Sequence, residues 1–559
     1  MAKKVSPSEL SRHNFPEDLW IVVDGTVYDM TDFAPRHPGG AEGASRINLS
    51  KTILNPAPLP PLSTSLFMIS YDQTNTYHTN SYPVSWFDPG VIVIYRYAGH
   101  DASAEYNEVH SPSLIKKSLE TKYHIGNLAT PLVTGEELRE APPTTPSPHS
   151  FSNASPPITV STGHSSMPGR PALDAIINLD DFEQVASRTL WAKAWAFISG
   201  AANDNITRDA NRTFLQRIWL RPAVMRGVGS VTTRTRLFGC SISAPIYIAP
   251  TGAARTAGSE GELALARAAA ATGIVQCFST PSSYPHDEIL EVTPKHAFFQ
   301  LYVDKEREKS VEAVRRVLAS GKVKAIFVTA DLPVMSKREA DERVKASEAD
   351  RAKAFRTSSS VGIQRDKKGA GLARQLSSFI DPTLSWEDIS WLRSIAGNVP
   401  IVIKGVQRAA DAEIALRIGC NGIVVSNHGG RAADTAPPAI LTLLELHKVC
   451  PQVFGAMEVL VDGGFRRGSD VVKAICLGAS AVGIGRPFLY ALGYGQEGVE
   501  HAIEILKDEI ETATALCGMT DLMRDASPEY VNTTDLDHLV PSRDHLYVRK
   551  ADNTVKSRL

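Results

Sequence analysis

Short apolar runs alternate with helix-like stretches from about residue 245 to residue 488. The helix-like stretches include Glu260–Thr272, Arg307–Ser320 and Pro438–Val449. Strands that are apolar throughout and alternate with helices are typical of a parallel sheet that is covered on both faces. The unit repeats eight times, which favours an α/β fold with a closed (β/α)8 TIM barrel over an open doubly wound sheet. The runs are Pro245–Thr251, Gly273–Thr280, His296–Val303, Lys324–Pro333, Pro400–Val406, Gly422–Gly429, Glu458–Phe465 and Ala481–Phe488.

Composition divides the chain into four parts. Residues 5–130 predict a small mixed domain, and residues 131–172 are rich in Pro, Ser and Thr, as linkers are. Residues 173–525 form the barrel, and residues 526–559 form a polar tail. Inside the barrel, the Lys/Arg/Ser-rich segment Lys345–Gly371 predicts a surface excursion, which is either a lid or a loop without a role.

Charge and cysteine content exclude several classes of protein. The 59 Lys+Arg nearly balance the 61 Asp+Glu, so the total charge favours neither nucleic acid nor a membrane surface as a partner. No apolar run is long enough for a spanning helix. The six cysteines include no CxxC pair, so we expect buried thiols in a reducing compartment.

All eight predicted strands end in polar residues. Because the carboxyl ends of barrel strands meet at one face, we expect these residues to share one site. The last two ends supply backbone N–H groups and two guanidinium groups that suit a phosphate, although ion pairs with acids on the rim are the alternative. The strand-end residues are Pro250, Thr251, Gly252, Ser279, Thr280, Gln300, Tyr302, Thr329, Asp331, Arg338, Lys404, Ser426, His428, Arg431, Asp462, Gly463, Gly464, Arg466, Gly485 and Arg486.

Three of these strand ends carry the motifs of a known family. The motifs are Ile-Val-Ile-Lys-Gly-Val-Gln at 401–407, Ser-Asn-His-Gly-Gly-Arg at 426–431 and Val-Asp-Gly-Gly-Phe-Arg-Arg-Gly at 461–468. From about Leu173 to Met519 the sequence resembles the FMN-dependent L-2-hydroxy-acid dehydrogenases and oxidases. The resemblance implies bound FMN and the oxidation of a small, lactate-like L-2-hydroxy acid to the 2-oxo acid.

The resemblance also implies roles on the substrate side. His428 would accept the proton that leaves the substrate, and Asp331 would favour the charged imidazole. Arg431 and Arg338 would face the substrate carboxylate, for which a guanidinium fork is the natural partner. Tyr302 would hydrogen-bond the substrate hydroxyl. The choice between hydride and carbanion transfer stays open.

On the flavin side, the resemblance implies that Lys404 lies by the N1/C2 edge and stabilises negative charge on the reduced ring. Ser279, Gln300 and Thr329 would contact the isoalloxazine. The full implied FMN-binding set is Pro250, Thr251, Gly252, Ser279, Gln300, Thr329, Lys404, Asp462, Gly463, Gly464, Arg466, Gly485 and Arg486.

Two positions depart from the family pattern. Phe197 stands where the family usually has a tyrosine that binds the substrate carboxylate. Loss of that charge-assisted hydrogen bond is worth roughly 1.5–3 kcal/mol, unless another polar group replaces the hydroxyl. Pro281 beside the small Gly252 would give the pocket a shape that suits an acid other than lactate.

The N-terminal part resembles a cytochrome b5-type haem domain, which has an α+β fold. Trp20–Phe33, Arg-His-Pro-Gly-Gly at 36–40 and Tyr97–His110 carry this resemblance, which implies His37 and His110 as axial ligands of haem b. The two histidines are 73 positions apart, and residues 43–92 account for an excess over the expected spacing. We interpret 43–92 as a translated intron, with a genuine surface loop as the alternative. Sequencing the transcript across codons 42 and 93 distinguishes them.

These features predict a dehydrogenase that passes electrons from FMN to haem b and then to an external acceptor such as a cytochrome c. The alternatives are an oxidase that uses O2 and forms hydrogen peroxide, with a vestigial haem module, and a flavin–haem binding protein without activity. We expect a homotetramer with no nucleic-acid or membrane partner. The ending Ser557-Arg558-Leu559 resembles the peroxisomal Ser-Lys-Leu signal, so we expect a peroxisomal location, with the cytoplasm as the alternative.

Overall fold

The computed structural model describes residues 3–15, 17–34, 94, 98–129, 170–344, 373 and 379–541. Several predictions lie outside the described residues: His37, the segment 43–92, the linker before residue 170, the excursion Lys345–Gly371 and the tripeptide at 557–559. None of the helices in the described ranges is long and apolar enough to cross a membrane.

The N-terminal residues form a small mixed sheet with helices. Its elements are β1 Lys4–Val5, β2 Asn14–Phe15, β3 Asp18–Val23, β4 Thr26–Asp29 and β5 His124–Leu128, with α1 Pro7–Leu10, α2 Ser103–Val109 and α3 Pro112–Ser118. The strand order is β1-β5-β4-β3-β2. Leu19, Ile21 and Tyr28 from the sheet pack with Ala102 and Ile115 from the helical side, which gives the α+β arrangement that we expected.

Eight parallel strands close into a barrel in the order β10-β11-β12-β13-β14-β15-β16-β9, which confirms the predicted fold class. The elements from β6 onward are β6 Trp219–Leu220, β7 Thr235–Leu237, β8 Cys240–Ile242, β9 Ile246–Ile248, β10 Val275–Ser279, β11 Ala297–Leu301, β12 Val323–Thr329, β13 Ile401–Val406, β14 Gly422–Val425, β15 Glu458–Asp462, β16 Ala481–Ile484 and β17 Val531–Asn532. The barrel closes where Val482 pairs with Ile246. Seven of the eight predicted apolar runs contain one of these strands entirely, and the run Lys324–Pro333 begins one residue after the start of β12 at Val323.

Helices surround the barrel. They are α4 Leu179–Thr189, α5 Ala192–Ser199, α6 Ile206–Gln216, α7 Gly261–Thr272, α8 His286–Val292, α9 Arg307–Ala319, α10 Glu339–Arg343, α11 Ile389–Ala396, α12 Ala409–Arg417, α13 Ala439–Val449, α14 Val453–Ala456, α15 Gly468–Cys476, α16 Arg486–Ala491, α17 Gly495–Leu516, α18 Leu522–Asp525 and α19 Thr534–Asp537. Local chemistry sets their ends: α7, for example, stops at Gly273, whose φ of 76° suits glycine as the residue that ends a helix.

The strands are apolar throughout because they are buried on both sides. Tyr247, Phe298 and Phe327 fill the inside of the barrel, and Phe238 from the β7–β8 turn packs against them. A second cluster lies between the strands and the helices. All six cysteines are free and buried, as we expected.

The ordered body continues beyond residue 525, where we predicted a polar tail. β17 pairs with β6 in antiparallel fashion, and Leu536 is fully buried. Only a few apolar residues in this stretch are buried, without a regular period, so the sequence pattern did not reveal them.

Candidate active site

A cavity of about 650 Å³ opens at the carboxyl ends of the barrel strands. Its size lies within the range of about 300–1,000 Å³ that is usual for sites that bind cofactors. Every residue of the predicted FMN-binding set lines it, and so do His428, Tyr302, Arg431, Arg338 and Lys404. Asp331 lies behind this lining, and its side chain is fully buried. The structure therefore brings together residues that are scattered over the sequence.

His428 and Asp331 form a close pair at this cavity. His428 Nδ1 lies 2.8 Å from Asp331 Oδ1, and His428 Nε2 lies 3.4 Å from the Tyr302 hydroxyl oxygen. His428 has a φ of 59°, and Gly429 and Gly430 continue the left-handed turn with φ of 63° and 81°. A non-glycine residue with positive φ is uncommon and marks a position that the surrounding structure enforces. The turn after β14 thus directs the imidazole into the cavity.

Burial and charge fix the protonation states of the pair. Burial lowers the pKa of His428, although Asp331 opposes this shift. Burial would raise the pKa of Asp331, but His428 and Lys404 outweigh it and hold that pKa below its ordinary value. A Cβ at Gly405 would lie 2.5 Å from Asp331 Cβ, so glycine is needed there for the carboxylate to fit. At neutral pH the imidazole is neutral and can accept a proton.

Ser426 connects the backbone of His428 to Lys404 and Asp462. Lys404 Nζ donates to Ser426 Oγ at 3.0 Å, and Ser426 Oγ donates to Asp462 Oδ1 at 2.6 Å. The backbone N–H of His428 also donates to Ser426 Oγ at 3.0 Å. Burial would lower the pKa of Lys404, but Asp462 and Asp331 raise it, so the lysine stays charged. The motif at 426–431 contained Ser426, but the sequence did not reveal its role.

Two arginines, the buried Arg338 and the half-buried Arg431, add positive charge to the cavity. Arg431 Nη2 donates to the backbone oxygens of Phe197 and Ile198, and Arg431 Nε donates to Gly200 O at 3.3 Å. Arg338 is buried, and its Nε has no hydrogen-bond partner among the described residues. Burial lowers the pKa of Arg338 to about 10 and that of Arg431 to about 9, so both remain charged at neutral pH. A buried cation without an acceptor favours the binding of an anion.

Neighbouring strands fix the amide of Gln300. Ser279 Oγ donates to Gln300 Oε1 at 2.6 Å, and Gln300 Nε2 donates to Thr329 Oγ1 at 2.9 Å. The three side chains therefore form one hydrogen-bonded row across β10, β11 and β12. This row faces the cavity with fixed polar groups, as a heteroaromatic cofactor such as isoalloxazine requires.

Gly463 and Gly464 let the end of β15 approach helix α6. Their φ angles are 99° and 87°, and a Cβ at Gly464 would lie 2.4 Å from Asn211 O. The Asn211 and Asn427 side chains exchange two hydrogen bonds of 2.8 Å. Sequence reasoning missed Asn211, because a single asparagine in a polar helix gives no pattern.

Arg466 and Arg486 line the cavity but differ in their partners. Arg466 Nη2 forms an ion pair with Glu183 at 2.8 Å, while its buried Nη1 has no hydrogen-bond partner among the described residues. Arg486 donates to the backbone oxygens of Gly429 and Ile198 at 2.9 Å. Burial lowers the pKa of Arg486 to about 9. A phosphate would supply the acceptor that Arg466 Nη1 lacks, so the cavity fits FMN.

The described part of the N-terminal domain fits a haem. His110 lies at the carboxyl end of α2, and its ring is 5.2 Å from that of Tyr106, centroid to centroid. Tyr106 packs against the apolar cluster that includes Met30, Ala98 and Leu119. An imidazole beside an apolar cluster is what a b-type haem requires.

Comparisons with known proteins agree with this geometry. The FMN-dependent dehydrogenase model matches residues 186–533, and the cytochrome b5-like heme/steroid binding domain model matches residues 6–46. The chain is 35% identical to the L-lactate dehydrogenase (cytochrome) of Wickerhamomyces anomalus, over 97% of this chain and 83% of that protein. It is 36% identical to the Saccharomyces cerevisiae protein of the same name, over 93% of this chain and 78% of that protein.

Other relatives match the barrel. A peroxisomal (S)-2-hydroxyacid oxidase of Arabidopsis thaliana is 41% identical over 62% of this chain and 94% of its own length. A solved structure of a flavocytochrome b2 mutant with pyruvate bound has a TM-score of 0.58 and 39% identity, and it covers 67% of this chain and 91% of its own. The chain belongs to the FMN-dependent dehydrogenase family and carries a cytochrome b5-like domain at its N-terminal end.

Proposed function

We propose that this protein oxidises a small L-2-hydroxy acid to the 2-oxo acid and passes the electrons through FMN and haem b to an external acceptor such as a cytochrome c. One observation carries the proposal: His428, paired with Asp331, opens onto the same cavity as the buried Arg338 and the half-buried Arg431. A 2-hydroxy acid uses both features, because its carboxylate needs cations and its oxidation needs a base. When bound, FMN accepts the two electrons that leave the substrate.

Each side chain has a defined task in this proposal. Arg338 and Arg431 bind the substrate carboxylate, and the Tyr302 hydroxyl hydrogen-bonds the substrate hydroxyl. His428 Nε2 takes the proton, while Asp331 stabilises the imidazolium that forms. Lys404 supplies a fixed positive charge on the FMN side, held by Ser426 and Asp462. We infer that His37 and His110 are the haem ligands.

The share of this chain that each relative matches supports a dehydrogenase over an oxidase. The L-lactate dehydrogenases (cytochrome) match nearly the whole chain, whereas the peroxisomal oxidase matches 62% of it. Each substrate molecule releases two electrons and two protons. A haem iron takes one electron at a time, so two ferric haems are reduced for each substrate oxidised.

Anaerobic spectroscopy of the purified holoprotein tests the proposal. A panel of L-2-hydroxy acids is added, and the flavin and haem absorption bands are followed together. We expect at least one acid to bleach the flavin and then to reduce the haem. A flavin that no acid bleaches would overturn the proposal, and a bleached flavin beside a haem that stays oxidised would favour the oxidase.

The panel needs acids with side chains of different size. Gly252 and Pro281 both line the cavity, and a Cβ at Gly252 would lie 3.0 Å from Pro281 Cγ. The space next to the proline therefore depends on the absence of a side chain at residue 252. We propose that this pair of residues sets which acid fits best.

Restoring the missing tyrosine should strengthen substrate binding. Phe197 lines the cavity, and its ring lies 5.3 Å from the Arg431 guanidinium. Phe197→Tyr would add a hydroxyl that can donate to the carboxylate shared by substrate and product, so we expect the Kd of a bound 2-oxo acid to fall by about 10-fold or more. Titration of the flavin spectrum with an unreactive 2-oxo acid measures it. An unchanged Kd would mean that another group already satisfies the carboxylate.

We infer that the protein assembles as a homotetramer through an apolar patch formed by Val224, Met225 and Leu516. All three side chains are exposed, and the stretch that carries Met225 packs against the end of α17 through the bond from Ala223 N to Cys517 O at 3.1 Å. Large apolar patches on a surface mark interfaces. Met225→Glu is expected to lower the mass measured by light scattering, whereas Ile177→Glu at another exposed position is not. A tetramer that survives Met225→Glu would exclude this patch.

The peroxisomal location stays a prediction. It depends on residues 557–559, which lie outside the described ranges. Imaging of a fluorescent fusion with and without these three residues tests it, and identical distributions would contradict it.

A further inference from the structure

The N-terminal domain contacts the barrel close to the cavity. Ser111 N donates to Ser283 O at 2.9 Å, and Arg255 Nη1 donates to the backbone oxygen of His110. Both contacts hold the segment that carries the proposed haem ligand. In the N-terminal domain both contacts use backbone atoms, those of Ser111 and His110. The contacts therefore fix the position of this segment rather than the rotamer of a side chain.

The two barrel residues in these contacts belong to loops that also line the cavity. Gly252 and Pro281 line the cavity. Arg255 comes shortly after Gly252 in the first loop, and Ser283 comes shortly after Pro281 in the second. The loops are bonded to each other, since Ala253 N donates to Pro281 O at 3.0 Å and Arg255 N donates to Ser283 Oγ at 3.2 Å. The same short stretch of structure therefore forms part of the cavity wall and the contact with the N-terminal domain.

Glu262 ties the two loops together. Its Oε1 accepts the backbone N–H groups of Ala254 at 3.0 Å and of Ser283 at 2.9 Å. The side chain is fully buried, and burial raises its pKa. Glu262 is not among the residues that line the cavity, so the proposed chemistry does not use it. A buried carboxyl group is costly, which indicates that its two bonds matter for the structure.

We propose that Arg255, Ser283 and Glu262 form a docking platform that holds the proposed haem-ligand segment against the cavity wall and thereby sets the rate at which electrons pass from flavin to haem. This inference rests on the proposed function. Arg255 and Glu262 are positioning residues, since they act through the backbone of His110 and through the two loops. The step is the reduction of one ferric haem by one electron from the reduced flavin.

The platform differs from the charged contact beside it. Lys117 Nζ pairs with Asp287 at 2.8 Å and with Glu288 at 3.1 Å, but the lysine is exposed. Exposed ion pairs contribute little and are screened by salt. We therefore expect the flavin-to-haem rate to change little in Lys117→Ser or at raised ionic strength. A strong salt dependence would show that general charge attraction, and not the platform, holds the domains together.

The first test removes the guanidinium in Arg255→Met. The matched control is Arg393→Met, because Arg393 Nη2 also donates to a backbone oxygen, that of Gly419 at 2.8 Å. In anaerobic stopped-flow experiments we expect flavin bleaching by substrate to keep its rate and haem reduction to slow by about 10-fold or more in Arg255→Met. Hydrogen exchange at the Ser111 amide should become faster in this variant. The control should change neither quantity.

The second test separates the bonds of Glu262 from its volume. Glu262→Gln keeps an oxygen that can accept both amides, whereas Glu262→Leu fills the space without an acceptor. We expect slow haem reduction and fast Ser111 exchange in Glu262→Leu, with near-normal values in Glu262→Gln. If Glu262→Leu does not fold, Arg255→Met still tests whether the docking platform sets the rate of haem reduction.

The outcomes distinguish this inference from the proposed function. Normal haem reduction and normal Ser111 exchange in Arg255→Met would overturn the platform while leaving the proposed function intact. A wild-type flavin that no hydroxy acid bleaches would overturn the proposed function, whereas Ser111 exchange would still report on docking.

Discussion

His428→Gln is expected to lower kcat by about 10²–10⁴-fold, because that is the usual contribution of a general base. His428 is neutral at pH 7 and its Nε2 faces the cavity beside the Tyr302 hydroxyl. A glutamine can occupy the space and form hydrogen bonds, but it cannot take up a proton. FMN should remain bound, since its proposed ligands lie on other strands. Steady-state kinetics and the flavin absorption spectrum of the purified variant measure both quantities.

A matched variant controls for the loss of a half-buried histidine. His447 is half-buried on α13, and its Nε2 lies 2.6 Å from Leu477 O, away from the cavity lining. His447→Gln should leave kcat unchanged. Undiminished oxidation of every acid by His428→Gln would show that another group accepts the proton.

Asp331→Asn is expected to lower kcat/KM by about one to three powers of ten. A carboxylate partner shifts the pKa of an imidazole by about 1–3 units, and Asp331 lies 2.8 Å from His428 Nδ1. Asparagine keeps the shape but loses the charge that stabilises the imidazolium. The loss should be smaller than in His428→Gln, because the base itself remains.

The pH profile of this variant gives the sign of the effect. Burial lowers the pKa of His428, and Asp331 raises it against burial. Without the carboxylate, the pKa of the imidazole falls further, so the acid limb of kcat/KM should move to lower pH while the plateau drops. Asp411→Asn, which removes an ion pair with Arg408 outside the cavity, should leave the limb in place. An acid limb that moves to higher pH would contradict the proposed pairing.

Much of the fold follows from local patterns. Apart from Val323 at the start of β12, each barrel strand lies within a predicted apolar run, since a strand that is buried on both faces has few polar residues whatever its neighbours are. The helix from Gly261 to Thr272 was also predicted to within one residue, because Gly273 ends it. The pairing of Val531–Asn532 with Trp219–Leu220 was not predicted, because such short strands carry no period.

The site could be predicted only in part. Polar residues at strand ends identified the cavity lining, because the barrel brings all carboxyl ends to one face. The roles of Asn211 and Glu262 could not be predicted, since the residues with which they form hydrogen bonds are separated from them in the sequence and meet them only in the fold. Ser426 stood inside a motif, but its three bonds depend on where Lys404 and Asp462 lie.

The sequence by itself determined the barrel, the face that carries the site and the set of side chains there, because periodicity and strand ends are local properties. Only the tertiary structure decided which of those side chains meet. The pairing of His428 with Asp331, the ion pair of Arg466 with Glu183 and the contact of Arg255 with the His110 backbone join segments that are far apart in the chain. Their distances and burial set the charges and pKa values, and these quantities exist only when the chain is folded.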